Sequence, residues 1–126
     1  MIFAQLRTVT DALSAAELKQ LTIAAITLDP ERDDVARLAA ISESQKLPLP
    51  TYQLLTGPSK RVNDTLDNYG FIRKHDPETG EIDHNNLFIV IDRGGRVAYT
   101  FTLGQTQQAW LIEALHKLLA EAGARP

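Results

Sequence analysis

The sequence contains no cysteine, so the 126-residue chain can form no disulfide, thiolate nucleophile or thiolate–metal bond. Methionine and tryptophan occur once each, and the single methionine is Met1, which leaves no methionine-rich tract for a soft metal. No apolar run approaches the ~20 residues needed to span a bilayer. The first ten residues lack the basic n-region, continuous apolar stretch and small-residue cleavage site of a signal peptide. Nothing in the sequence as given therefore exports or anchors the chain. Positive charge is not in excess either: 13 Lys and Arg stand against 16 Asp and Glu, for a formal charge of −3. With no basic stripe, nucleic acid is not an expected partner. No P-loop, GxGxxG or nucleophile–base motif is present, and the chain is not expected to be an enzyme.

What is present fits one soluble domain over residues 1–126, with 44% hydrophobic and 23% charged residues. Ile2, Leu6, Val9 and Leu13 recur at helical spacing, so the chain begins inside an amphipathic helix with no capping residue before it. Ser14 and Glu17 stand at capping-box spacing. Residues 22–28 (TIAAITL) read as a strand buried on both faces, of the kind found in parallel sheets, ended by Asp29-Pro30. Asp33 or Asp34 then caps a helix with Val35, Leu38, Ala39 and Ile41 on one side, ending near Gln45.

A second short strand is expected over Tyr52 to Leu55. Gly57-Pro58 leads to a helix with Val62, Leu66 and Tyr69 inward and Gly70 as its stop. Residues 71–83 hold Asp76-Pro77-Glu78-Thr79-Gly80, a turn signature inside a hairpin-like excursion. A hairpin follows around Arg93-Gly94-Gly95, between residues 86–92 and 96–103. The final helix carries Trp110, Leu111, Ala114, Leu115, Leu118 and Leu119 as a core face, with Gly123 at its end. Helices alternating with strands indicate an α/β sandwich whose mostly parallel sheet ends in an antiparallel pair. A helix leading such a fold normally follows a strand, and no strand precedes this one.

Three pieces resemble the Sco/SenC family of thioredoxin-like copper chaperones. They are Leu28-Asp29-Pro30-Glu31-Arg32-Asp33 after a buried strand; Leu55-Thr56-Gly57 with a helix ending Asn68-Tyr69-Gly70; and Ile82-Asp83-His84 before Leu87-Phe88-Ile89-Val90-Ile91-Asp92, with Gly94-Gly95-Arg96 in the turn. The resemblance implies a thioredoxin-like three-layer α/β sandwich, with a mixed sheet, a C-terminal antiparallel hairpin and the first core strand missing. It implies copper as the metal and a role in cytochrome c oxidase assembly. The implied partners are an oxidase subunit or other copper chaperones, and the implied place is periplasmic and membrane-anchored.

Members of that family bind copper through a C-x-x-x-C pair and a distant histidine. The histidine position matches His84, and the cysteine pair should fall just before or around residues 1–3, where there is none. The chain is thus expected to be either an N-terminally shortened product or a relative that lost the ligands. The uncapped first helix and absent first strand favour shortening, and open sheet edges then make a homodimer possible. His84 is the one candidate metal ligand, with no thiolate beside it. Asp29, Glu31, Arg32 and Asp33 read as a strand-to-helix turn with local pairing rather than a metal cluster. His75 and His116 have no partner at ligand spacing, and His116 reads as a boundary residue. Two rival readings are a thioredoxin-like thiol reductase or peroxidase, which also needs a cysteine, and a cysteine-free interaction module.

Overall fold

The computed structural model describes residues 2–124. The elements are α1 (Ile2–Asp11), α2 (Ala15–Leu18), β1 (Ile23–Ile26), α3 (Val35–Ser44), β2 (Tyr52–Leu55), α4 (Ser59–Asn68), β3 (Arg73–His75), β4 (Ile82–His84), β5 (Phe88–Ile91), β6 (Val97–Phe101) and α5 (Gln105–Ala124). They form two compact units, one from residues up to 21 and from 86 onward, the other from residues 22–85. The strands pair as a parallel β1·β2 and two antiparallel ribbons, β3·β4 and β5·β6, each a separate two-stranded sheet. Both strand senses of the expected mixed sheet are present, divided among these pieces. Residue 1, part of the stretch before or around which the resemblance puts the cysteine pair, lies outside the described residues.

In the first unit the inner face of β5·β6 meets α1 and α5. Phe88 opposes Phe101 and Val90 opposes Tyr99 in the ladder. Val9, Leu13, Phe88, Val90, Phe101, Leu111, Ala114 and Leu115 form one buried cluster, with Ile2, Leu6, Leu118 and Leu119 packed partly against it. The expected apolar stripe of α1 thus faces this core, but Gln5 is buried there too. Its Nε2 donates to the Thr102 carbonyl (3.4 Å) and its Oε1 accepts from the Gly104 N–H (3.1 Å), which ties α1 to the loop between β6 and α5. At the hairpin turn, Asp92 Oδ1 accepts from the N–H groups of Gly94 and Arg96 at 2.9 and 3.0 Å, an Asx turn that closes the strands.

Trp110 departs from expectation: it is 51% exposed rather than core. At 100° per residue it lies about 90° from the centre of the stripe formed by Leu111, Ala114, Leu115 and Leu118, on the flank of α5. The helix also continues through Gly123 to Ala124 instead of ending at the glycine.

α2 has the capping box that its sequence specifies. Ser14 Oγ accepts from the Glu17 N–H (3.1 Å), and Glu17 Oε1 accepts from the Ser14 N–H (2.9 Å). The other Glu17 oxygen lies 2.7 Å from His116 Nδ1 on α5, so His116 is a paired residue linking two helices. The Ser14 N–H first, and the His116 contact second, hold the Glu17 carboxyl below its usual range. A carboxyl depressed in the folded state stabilises the fold above its unfolded value, and that contribution is lost as pH falls through the folded value. Replacing His116 with alanine should therefore raise the Glu17 titration midpoint only part of the way to that of a free glutamate. Carboxyl-detected NMR titration checks this; a complete return would show that the capping box has no effect on it.

In the second unit β1 and β2 run parallel from Ile23↔Tyr52 to Ile26↔Leu55. Buried apolar side chains here are Leu38 of α3, Leu47, Tyr52 of β2, and Val62 and Leu66 of α4, and Thr27 is buried as well. β1 is not buried on both faces: Ala24 is exposed, and Ile23, Ala25 and Ile26 are half-buried. Among the described residues β2 is its only sheet neighbour.

Asp34, not Asp33, caps α3, accepting from the Arg37 N–H at 2.8 Å. Asp33 instead accepts from the Thr27 hydroxyl and pairs with Arg37 Nε (3.1 Å). The inward stripe of α3 is narrower than its sequence suggests, because Val35 is 77% exposed and Ala39 is exposed. Leu38 turns inward, with Ile41 and Ser42 half-buried beside it at the three- and four-residue spacings of one helix face.

α4 ends in a Schellman motif. Phe71 N–H donates to the Leu66 carbonyl (3.0 Å), Gly70 N–H donates to the Asp67 carbonyl (3.1 Å), and Gly70 takes φ +80°. That geometry places Tyr69 at the C-cap, where its side chain is exposed rather than inward.

Candidate functional site

His84 is the last residue of β4, so it sits on a strand end rather than in the loop where its sequence context placed it. β3 and β4 form a short antiparallel ribbon with Arg73↔His84, Lys74↔Asp83 and His75↔Ile82 opposed. The turn is the expected Asp76–Gly80 sequence. Asp76 N–H donates to the Glu81 carbonyl (2.8 Å), Gly80 N–H to the Asp76 carbonyl (2.9 Å), and Asp76 Oδ1 accepts from the Glu78 N–H (2.9 Å). The last contact, more than those with Thr79, holds the Asp76 carboxyl below its usual range.

Gly80 has φ +74°, and a Cβ there would meet the Arg32 guanidinium at 3.2 Å. Arg32 also approaches Asp29 at 3.6 Å, so the acidic loop after β1 serves local pairing and backs the ribbon's turn. Replacing Gly80 with alanine should loosen the ribbon by about 1–2 kcal/mol, the usual cost of the left-handed backbone, since the Arg32 tip can swing aside. Amide exchange would show faster exchange at residues 73–75 and 82–84 with β5·β6 unchanged. Unchanged protection of the ribbon would contradict this.

Two residues not singled out from the sequence hold the ribbon's base. Arg73 reaches back to α4 and to the Phe71 carbonyl, with a side chain only 12% exposed. Asn85 closes the open end: its N–H donates to the Ile72 carbonyl (3.1 Å), and its Oδ1 accepts from the Ile72 N–H (3.0 Å). The only sequence signals for this were an arginine within a turn-rich excursion and the asparagine pair after His84.

The His84 side chain is exposed, and its Nδ1 lies 2.8 Å from the Asn85 carbonyl. A carbonyl can only accept, so Nδ1 carries the proton and Nε2 keeps the lone pair when the imidazole is neutral. With Ile72, Lys74, Asp83 and Asn85, His84 lines an open depression of about 250 Å³. His75 lines a different one, of about 510 Å³, with Asn63, Asp67, Phe71, Ile72 and Arg73. His116 belongs to the other unit. His75 and His84 thus line separate depressions of the same unit. Among the described residues no group of three or more His, Asp or Glu side chains could hold a metal ion.

The chain matches the SCO1/SenC family over residues 1–120. Solved structures with the same fold include ScoI of Bradyrhizobium japonicum with copper bound (TM-score 0.73, 24% identity, covering 90% of this chain and 71% of that one). A SCO1/SenC family lipoprotein from Bacillus anthracis gives a TM-score of 0.73 at 23% identity, covering 92% of this chain and 70% of that one. ScoI of Arabidopsis thaliana with copper bound gives 0.63 at 13% identity, covering 91% and 76%. No curated protein matches the chain by sequence. These likenesses give the thioredoxin-like α/β fold, and the match over nearly all of its length makes the chain a member of the SCO1/SenC family.

Proposed function

We propose that the chain is a copper-chaperone-type domain for cytochrome c oxidase assembly, with His84 at the position of the histidine copper ligand. One observation carries the reading. His84 ends an exposed ribbon, with Nδ1–H engaged by the Asn85 carbonyl and Nε2 left as the donor atom. Copper is cargo here, and the donor set limits what these residues do with it. Cu(I) is soft and takes thiolates, and the sequence has no cysteine. A single imidazole does not make a retaining Cu(I) site, and without thiols no disulfide exchange is possible. Any thiolate pair must come from outside these 126 residues.

The proposed partners are an oxidase subunit or another copper chaperone. The proposed location is the periplasmic side of a membrane, with anchoring; the Bacillus anthracis relative described as a lipoprotein supports this. No helix among the described residues is long and apolar enough to cross a membrane.

Substoichiometric Cu(II), which imidazole also binds and which broadens nearby NMR signals, tests the role of His84. The His84 ring and the amides of Asp83 and Asn85 should broaden first, and His84→Gln should abolish that pattern. Broadening centred on His75 or His116, or unaffected by His84→Gln, contradicts the assignment.

A further inference from the structure

The ribbon that carries His84 has no apolar core of its own. None of the residues of β3 and β4 is fully buried, and Ile82, their only aliphatic side chain, is half-buried. An isolated two-stranded ribbon is marginal in water, so polar anchors must set where this one lies. Arg73 is the anchor that reaches another secondary-structure element.

All five of its guanidinium N–H groups are used. Nε and Nη2 donate to Asn63 Oδ1 (3.2 and 2.8 Å), Nη2 to the Asn63 carbonyl (3.2 Å), and Nη1 to Asp67 Oδ1 and the Phe71 carbonyl (2.9 Å each). Asn63 is itself held, donating through Nδ2 to the Ser59 carbonyl at 2.9 Å. A continuous set of hydrogen bonds therefore runs from α4 through Asn63 to Arg73, the residue opposite His84 in the ladder. The fork geometry of a guanidinium suits this role, because one rigid group engages a side-chain amide, a carboxylate and two carbonyls at once.

We infer that Arg73 is the positioning residue for His84: by fixing β3 to α4 it holds the imidazole in one place and one tautomer. This rests on the reading of His84 as the copper-facing side chain. Asn85 secures the ribbon to its own base through Ile72, and Arg32 backs the turn at Gly80, but neither is joined to α4 by such a fork. The Arg73 guanidinium makes its hydrogen bonds to Asn63, Asp67 and Phe71 and not to the His84 imidazole, so its effect is expected in the state of His84 and not in overall stability alone.

The test uses the full chain at one mildly alkaline pH, comparing the wild type with Arg73→Met and Asn63→Ala. Imidazole ¹⁵N spectra report the His84 tautomer, and backbone relaxation reports order over residues 82–85. The wild type should show a single tautomer with protonated Nδ1 and order parameters near the rigid value of about 0.85. Arg73→Met should collapse the His84 signals to a tautomer average and drop those order parameters below about 0.6, leaving the His116 signals unchanged. Asn63→Ala keeps the arginine but removes its side-chain acceptor, and should move the same signals in the same direction by less. It carries the test if Arg73→Met fails to fold. His84 signals and order unchanged in the folded variants overturn the inference. Cu(II) broadening of the wild type that misses His84 would defeat the functional reading while leaving the positioning role standing, so the two failures are distinguishable.

Discussion

Replacing Phe88 with alanine should destabilise the chain by about 3–5 kcal/mol, a large part of the 5–15 kcal/mol margin typical of a domain. Phe88 is only 8% exposed, opposes Phe101 across the ladder, and packs into the cluster that joins α1, β5·β6 and α5. The loss combines the transfer of a ring from the interior with the cavity that a close-packed neighbourhood cannot fill. Tyr99 and Phe101 are stacked with ring centroids 5.8 Å apart, so loss of the ring facing Phe101 should disturb that pair as well. Ile91 on the same strand is the internal control. It is 46% exposed on the opposite face, and its replacement by alanine should cost less than about 1 kcal/mol. Denaturant melts followed by circular dichroism would compare the two; equal losses would show that the core has been misplaced.

The features legible in the sequence are those whose chemistry closes within a few residues. Ser14 and Glu17, the cap at Asp33 or Asp34, Gly70 and the Asp76–Gly80 turn involve backbone groups two to five positions away, so residue type and spacing go most of the way. Burial was less legible because it depends on what covers a face. Trp110, Val35 and Tyr69 have apolar side chains at plausible helical positions, yet each lies off the covered stripe. Ala24 and its neighbours form an apolar run that predicts two covered faces, and the run carries no sign of how many neighbours the strand has. Nothing local to Gln5 signals its burial, because its partners, Thr102 and Gly104, lie at the other end of the chain.

The candidate site divides in the same way. His84 was found through its flanking motif, Ile-Asp-His before a hydrophobic strand, and not through any pattern of ligands. Arg73 was missed because a lone arginine in a polar hairpin reads as a solvated charge, and its acceptors lie on the helix before it. The structure corrects the backbone expected at His84: pairing with Arg73 makes it a strand end, and its imidazole lies against the Asn85 carbonyl.

The absence of cysteine carries the largest functional consequence. Tight Cu(I) binding in a site of this class depends on soft thiolate ligands, and a histidine contributes a third donor rather than a site of its own. With no cysteine, the proposed site offers one imidazole, and among the described residues no group of three or more His, Asp or Glu side chains could hold a metal ion. The loss should amount to several powers of ten in Cu(I) affinity, since each 1.4 kcal/mol of lost ligand energy is a factor of ten. His84→Gln should therefore change little in Cu(I) retention, although it removes the Cu(II) broadening.

The most direct measurement is Cu(I) competition. The 126-residue chain is loaded anaerobically with one equivalent of Cu(I), challenged with a strong chromogenic chelator, and the copper left on the protein is counted after desalting. The account predicts that essentially all of the metal passes to the chelator, with wild type and His84→Gln alike. Stoichiometric Cu(I) retained by the wild type and lost in His84→Gln would contradict it, because these residues would then build a copper site without a thiolate.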